Sequence, residues 1–318
     1  MLYGSSVKES LLIKNKRYRD LLIENFAYLY VDSGFDGLGQ VKKAKKISEF
    51  ALDNNKILRG NHLISNLSTR KYPKEAFDRV IESKLRQFPE ISEWECVHEV
   101  IADSGRFRKN WSQSQIEECF LIAKNYSPGT TLFYADYYRD GRKWRKLYEF
   151  LYAAKLKEVP VDGISVQLMS NLVPPVRGNP LSLNIWLALN WIRKIKRDFP
   201  EMVIVAPETV VWQPEKILSK KHLIKKSPPY IRYDRKKEWI RKYAIGLMLQ
   251  PYNIDLLQYQ GYKIIIEALI PECKMIGFWS AFDAAPWNWI GNRCKAGLWD
   301  EGFNPKLSAQ LLLNTATI

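Results

Sequence analysis

Two glutamates, Glu99 and Glu208, each close a short run of β-forming residues. The first ends Trp94-Glu95-Cys96-Val97-His98-Glu99, and the second ends Met202-Val203-Ile204-Val205-Ala206-Pro207-Glu208. Carboxylates at the ends of separate strands meet at the C-terminal face of a β/α barrel. A pair of carboxyl groups flanking one bond is the equipment of glycoside hydrolysis: one attacks the sugar or activates water, and the other gives a proton to the leaving oxygen.

Positioning such a pair requires strands joined by crossover helices. Eight β-like runs are present: Leu2–Ser6, Ala27–Asp32, Ile57–Ile64, Trp94–Val100, Thr131–Tyr137, Gly163–Leu168, Met202–Glu208 and Met275–Phe282. Segments with helical spacing lie between them. Val41, Ala44, Ile47, Phe50 and Ala51 share one face, with lysines opposite. Ser114 through Lys124 reads as a helix, with Ser114 as the expected N-cap and Glu117 completing a capping box. Pro180 to Arg197 carries a broad apolar face. This alternation predicts an α/β fold, a (β/α)8 TIM barrel, as a single domain over residues 1–318. A basic, proline-containing stretch at about 212–258 is expected to form an enlarged loop and helix after strand 7.

With 318 residues and 46% hydrophobic content, the chain can fill one large core. The net charge of +15 points toward acidic partners, yet no nucleic-acid-binding motif accompanies it and no nucleic acid is expected. Cys96, Cys119, Cys273 and Cys294 form no CxxC pair and no metal-ligand spacing, so neither metal nor cofactor is expected. No apolar run is long enough to span a membrane. Met1 leads directly into strand-like sequence, which suggests an intracellular chain or a secreted one whose leader has been removed. The expected state is a monomer acting on a polysaccharide or oligosaccharide.

The order of short motifs resembles that of the family 10 glycoside hydrolases, the xylanase-type barrels. Leu2-Tyr3-Gly4-Ser5-Ser6-Val7 resembles an opening FGTAV strand, and Leu58-Arg59-Gly60 resembles RGHTLVWH. Trp94 to Glu99 resembles WDVVNE, Leu132 to Tyr137 resembles LFYNDY, and Val161 to Gln167 resembles IDGVGFQ. Trp279, Asp283 and Trp287 match the W-x-x-x-D-x-x-x-W of strand 8, and Gly297 to Lys306 resembles LLFDENYNPK. The resemblance implies that Glu99 is the general acid/base and Glu208 the nucleophile of a retaining mechanism. It further implies a sugar-binding set of His98, Gln167, Trp279, Trp287, Asn61, Asn66 and Asp136. Gln167 is expected to orient Glu208, and the two tryptophans to form an aromatic platform.

Several sugar-facing positions depart from the family pattern. His98 stands where the family has an Asn that binds the 2-hydroxyl, and Tyr30 to Gly37 replaces T-P-E-N-E-M-K-W. Asn61 and Asn66 take two His positions, Ser65 a Trp, Met169 a His and Ala135 an Asn. His62 occupies a position usually held by Thr and, with His98 and His222, is one of three histidines. These exchanges weaken the expectation of plain xylan as substrate, because sites built to hydrogen-bond hydroxyls discriminate strongly. The expected activity is endo-acting, retaining hydrolysis of xylan or a related β-glycan. The alternative is a catalytically impaired, glycan-binding barrel, favoured by His98 and opposed by the two glutamates.

Overall fold

The computed structural model describes residues 1–31, 38–66, 68, 73–137, 141–171, 183–214, 254–279, 281–284 and 294–313. Eight strands form the barrel: β1 Leu2–Val7, β2 Tyr28–Val31, β3 Ile57–Gly60, β4 Glu93–His98, β5 Thr131–Tyr137, β6 Gly163–Asn171, β7 Val203–Pro214 and β8 Met275–Phe278. Each is hydrogen-bonded to its sequence neighbours. The sheet closes where β8 pairs parallel with β1, Met275 opposite Leu2 and Phe278 opposite Ser5. This is the predicted (β/α)8 barrel. Strands covered on both faces read as continuous apolar runs, and all four residues of β2 and of β8 are buried.

The expected strands are all present, with shifted ends. The third run breaks after Gly60 and resumes as the two-residue strand Ile64–Ser65, which pairs with β4. β7 continues six residues past Glu208 to Pro214, whereas β8 stops at Phe278. The helix expected from Ser114 begins earlier, as Gln113–Tyr126. Its N-cap is Ser112, whose hydroxyl accepts from the Gln115 N–H at 3.3 Å while Gln115 Oε1 accepts from the Ser112 N–H at 2.9 Å. Ser-x-x-Gln therefore forms the capping box in place of Ser114 and Glu117. Glu117 instead meets Lys157 at 2.9 Å.

Helical periodicity is realised in large part, with Leu187 exposed in place of the expected burial. In the helix Leu38–Asp53, Ala44, Ile47 and Ala51 are buried. In the helix Leu183–Asp198, Ile185, Ala188, Leu189, Ile192 and Ile195 are buried. Each deletion of a large core side chain among these would cost about 2–5 kcal/mol.

The barrel interior is polar along one column. Glu93, the first residue of β4, accepts from Arg59 at 2.9 Å and from Lys274 at 2.7 Å. Higher up, Glu95 Oε1 accepts from the Ser165 hydroxyl at 2.5 Å and lies 3.9 Å from Arg59 Nη2. The Arg59 guanidinium also lies 4.2 Å over the Phe133 ring. Tyr28, Tyr30, Phe133, Val205 and Met275 form an adjoining apolar cluster. A Cβ on Gly277 would run into the Tyr30 ring and the Pro207 carbonyl, so the small residue makes room for that packing.

By internal contacts the chain comprises two compact units. The first holds residues 1–169, 183–210 and 266–281, and with them most of the barrel. The second holds residues 170–182, 211–265 and 282–318. Within it, Phe282 stacks on Trp299 at 5.1 Å, the Gly297 N–H donates to Asp283 at 2.7 Å, and Tyr262 donates to the Ala296 carbonyl at 2.7 Å. Among the described residues no helix is long and apolar enough to cross a membrane. Cys96, Cys119 and Cys273 are buried free thiols, and burial pushes Cys119 and Cys273 up to about 12. Most of the basic 212–258 stretch lies outside the described residues.

Candidate active site

Glu99 follows directly on β4 with φ of 56°, in the left-handed region. A non-glycine residue stays there only where its surroundings hold it. Both of its backbone groups are held: its N–H donates to the Ala135 carbonyl on β5 at 2.9 Å, and its carbonyl accepts from Arg108 Nε at 2.7 Å. Arg108 is itself near Tyr137, whose hydroxyl donates to Asp103 at 2.8 Å. This turn lifts the Glu99 side chain off the strand, leaving it 25% exposed.

Two of the expected sugar-site residues meet that side chain. Asn66 Nδ2 donates to Glu99 Oε2 at 3.3 Å, and His98 Nε2 lies 3.9 Å from Glu99 Oε1. Asn66 is carried there because its N–H donates to the His98 carbonyl at 3.0 Å, which extends the Ile64–Ser65 pairing.

Glu208 reaches its place by a different device. The register between β7 and β8 slips between Ala206 and Thr209. Pro207, in that interval, has no N–H to give to the ladder, and prolines inside sheets settle at such irregularities. A bulge bends its strand and re-aims the side chain there. The Glu208 residue is 1% exposed, in contrast to Glu99.

His98 links the site to β6. Its Nε2 is 2.8 Å from the Gln167 amide nitrogen, and its ring stacks on His62 with centroids 4.7 Å apart. Gln167, expected to orient Glu208, has its amide beside the His98 ring.

Asp136 is buried and engaged on three sides: Lys143 at 2.6 Å, the Tyr134 hydroxyl at 2.9 Å and the Tyr137 N–H at 2.9 Å. Burial raises its carboxyl above the ordinary value; Lys143 opposes this and the charge of Glu99 adds to it. Asn61 is buried just beyond β3. Trp279, directly after β8, is 3% exposed and accepts from the Ser6 hydroxyl through its carbonyl. Trp287 lies outside the described residues, as do Asp32, Asp36 and His222.

Arg108 was missed in the sequence. It lies in a loop without periodicity, and its role depends on the left-handed turn at Glu99, which residue types do not announce. Glu95 was missed for a similar reason, since it was read only as part of a strand.

Comparison with known proteins bears on the lineage of the chain. The sequence profile of "Glycosyl hydrolase family 10" matches residues 15–177, just over half of the chain. The chain is 25% identical over 186 residues to endo-1,4-beta-xylanase A of Caldicellulosiruptor saccharolyticus, covering 49% of this chain and 54% of that protein. It is 28% identical over 141 residues to a beta-1,4-xylanase of Dictyoglomus thermophilum, covering 39% of this chain and 40% of the relative. The match thus spans about half the length of the first of these relatives or less of the other. Among solved structures, xylanase 10B of Thermotoga petrophila, in complex with xylobiose, is similar with a TM-score of 0.72 at 22% identity, covering 100% and 95% of the two chains. A thermostable mutant of xylanase Xyn10A from Cellvibrio japonicus has a TM-score of 0.74 at 16% identity, covering 100% and 98%. At these identities the structural likeness speaks for the barrel; the profile match speaks for the lineage, and by it this chain belongs to glycosyl hydrolase family 10.

Proposed function

We propose that the chain is a retaining glycoside hydrolase that cleaves within a β-linked polysaccharide, xylan or a related β-1,4-glycan. Glu208 attacks the anomeric carbon while Glu99 gives its proton to the departing glycosidic oxygen, breaking the C–O bond and leaving a glycosyl ester on Glu208. Water then attacks the anomeric carbon with Glu99 as base, breaking its bond to the Glu208 oxygen and releasing the carboxylate. The observation that carries this reading is the pair of glutamates, Glu99 directly after β4 and Glu208 at the register slip within β7. Glu208 is 1% exposed and the Glu99 side chain 25% exposed, so the two carboxyl groups stand in different environments.

The xylanase names of the relatives favour a xylose-containing polymer. The altered residues Ala135, Met169 and His98 favour weak turnover of unsubstituted xylan and better turnover of another β-glycan. The test is to offer soluble β-glycans to the purified chain and measure new reducing ends, with Glu208→Gln as the blank. New ends from the native chain alone support the reading; none from any β-glycan, or equal yields from both proteins, refute it. A second reading, a glycan-binding barrel without efficient cleavage, draws on one observation: His98 Nε2 is engaged by Gln167, not open toward a sugar hydroxyl.

A further inference from the structure

Beside the two glutamates, His62, Glu95 and His98 form a cluster in which the hydrolysis gives no role to His62 or Glu95. One donor atom from each lies within 4.8 Å of the other two. Three features of the chain bring them together. First, Glu95 and His98 are three apart on β4, and residues at that spacing face opposite sides of a regular strand. The register of β4 against β5 slips between Glu95 and Val97. An extra residue there reverses the parity, so both side chains reach the interior. Second, the segment after β3 runs beside β4: the Leu63 N–H donates to the Glu95 carbonyl at 2.7 Å, and Ser65 pairs with His98. That sets His62 alongside, its ring stacked on His98 at 25° between planes. Third, Glu95 is 3% exposed, and its Oε2 is a buried oxygen with no hydrogen-bond partner among the described residues, while Oε1 accepts from Ser165. A buried carboxylate oxygen left unmatched is costly unless something cationic meets it.

We propose that His62, Glu95 and His98 form a binding site for one divalent transition-metal ion of the zinc or cobalt class. Two imidazoles and one carboxylate suit these ions and disfavour magnesium and calcium, which take oxygen ligands. Ligand distances of about 2.0–2.2 Å imply donor–donor separations of roughly 3.4 Å in a tetrahedral site. The cluster must therefore contract by roughly an ångström, through rotamer shifts of Glu95 and of the two histidines. Arg59 is the competing cation. Its closer bond is to Glu93, at 2.9 Å, and its Nη2 lies 3.9 Å from Glu95 Oε1. Gln167 serves as the outer partner of His98: an amide can turn either its N–H or its carbonyl toward a ring nitrogen, fixing the tautomer that the ion requires.

The test uses the full chain, stripped with chelator, dialysed into metal-free buffer and titrated with Co²⁺ under visible absorption and with Zn²⁺ by calorimetry. One equivalent should bind, and Co²⁺ should develop the visible bands of a low-coordinate nitrogen–oxygen site. Glu95→Gln and His62→Thr should each weaken binding by about tenfold or more, and His222→Ala should leave it unchanged. Should Glu95→Gln fail to fold by circular dichroism, His62→Thr decides, since His62 is only partly buried. Absence of saturable binding, or binding lost in His222→Ala and kept in His62→Thr, would overturn the proposal.

Discussion

Replacing Arg59 with Met would strand two carboxylates inside the barrel. Arg59 is 1% exposed and sits 2.9 Å from Glu93 and 3.9 Å from Glu95. Removing one partner of a buried ion pair costs about 3–5 kcal/mol, because the remaining charge loses its compensation. Lys274 stays 2.7 Å from Glu93 and compensates in part, which sets the expected loss near the lower end, about 3 kcal/mol. A chain of this size shifts its Tm by about 2 °C per kcal/mol, so the midpoint should fall about 6 °C. The loss also has a pH signature. Burial alone would raise the Glu93 carboxyl, but Arg59 and Lys274 outweigh it and hold the group below its ordinary value. A folded pKa below the unfolded one contributes stability that is present above the unfolded value and lost as pH falls through the folded value. The difference between the native chain and Arg59→Met should therefore be full at neutral pH and shrink below about pH 4. Urea unfolding at both pH values measures it, and Arg59→Met with Glu93→Gln should recover part of the loss. A loss under about 1 kcal/mol at neutral pH, or one equal at both, would refute the reasoning.

Three further outcomes are expected. Glu99→Gln should lower kcat by about 10²–10⁴-fold and erase the alkaline limb of the pH–rate profile, since the proton donor is gone; an unchanged limb would assign that limb to another group. His98→Ala should lower kcat/KM by more than His98→Asn does, because Asn restores a 2-hydroxyl partner where Ala leaves none; equal losses would remove His98 from the sugar site. Ser112→Ala should cost about 1 kcal/mol in urea unfolding by removing the N-cap, while Ser114→Ala should cost less.

The barrel was legible because its signals are local. Apolar runs such as Thr131–Tyr137 and helical stripes such as Ala44, Ile47 and Ala51 record burial directly in residue type. Strand ends were less legible. β8 stops at Phe278, and Phe282 pairs instead with Trp299, a residue of the second unit that no local pattern announces. Ser112 and Ser114 are equally good caps by type, and only the position of the helix axis chose between them. Glu99, Asn66 and His98 could be read because motif order brings them to one place. Glu95 could not, because its interior position depends on a one-residue slip in register. Arg108 could not either, because its bond to the Glu99 carbonyl depends on a backbone conformation.

The most direct test of the two-glutamate mechanism is the stereochemistry of the first product. Proton NMR, following early hydrolysis of a β-glycan that the chain accepts, reads the anomer released before mutarotation. Double displacement through Glu208 predicts the β-anomer first, with none formed at the same rate by Glu208→Gln. The α-anomer first, or β-product undiminished in Glu208→Gln, would contradict it.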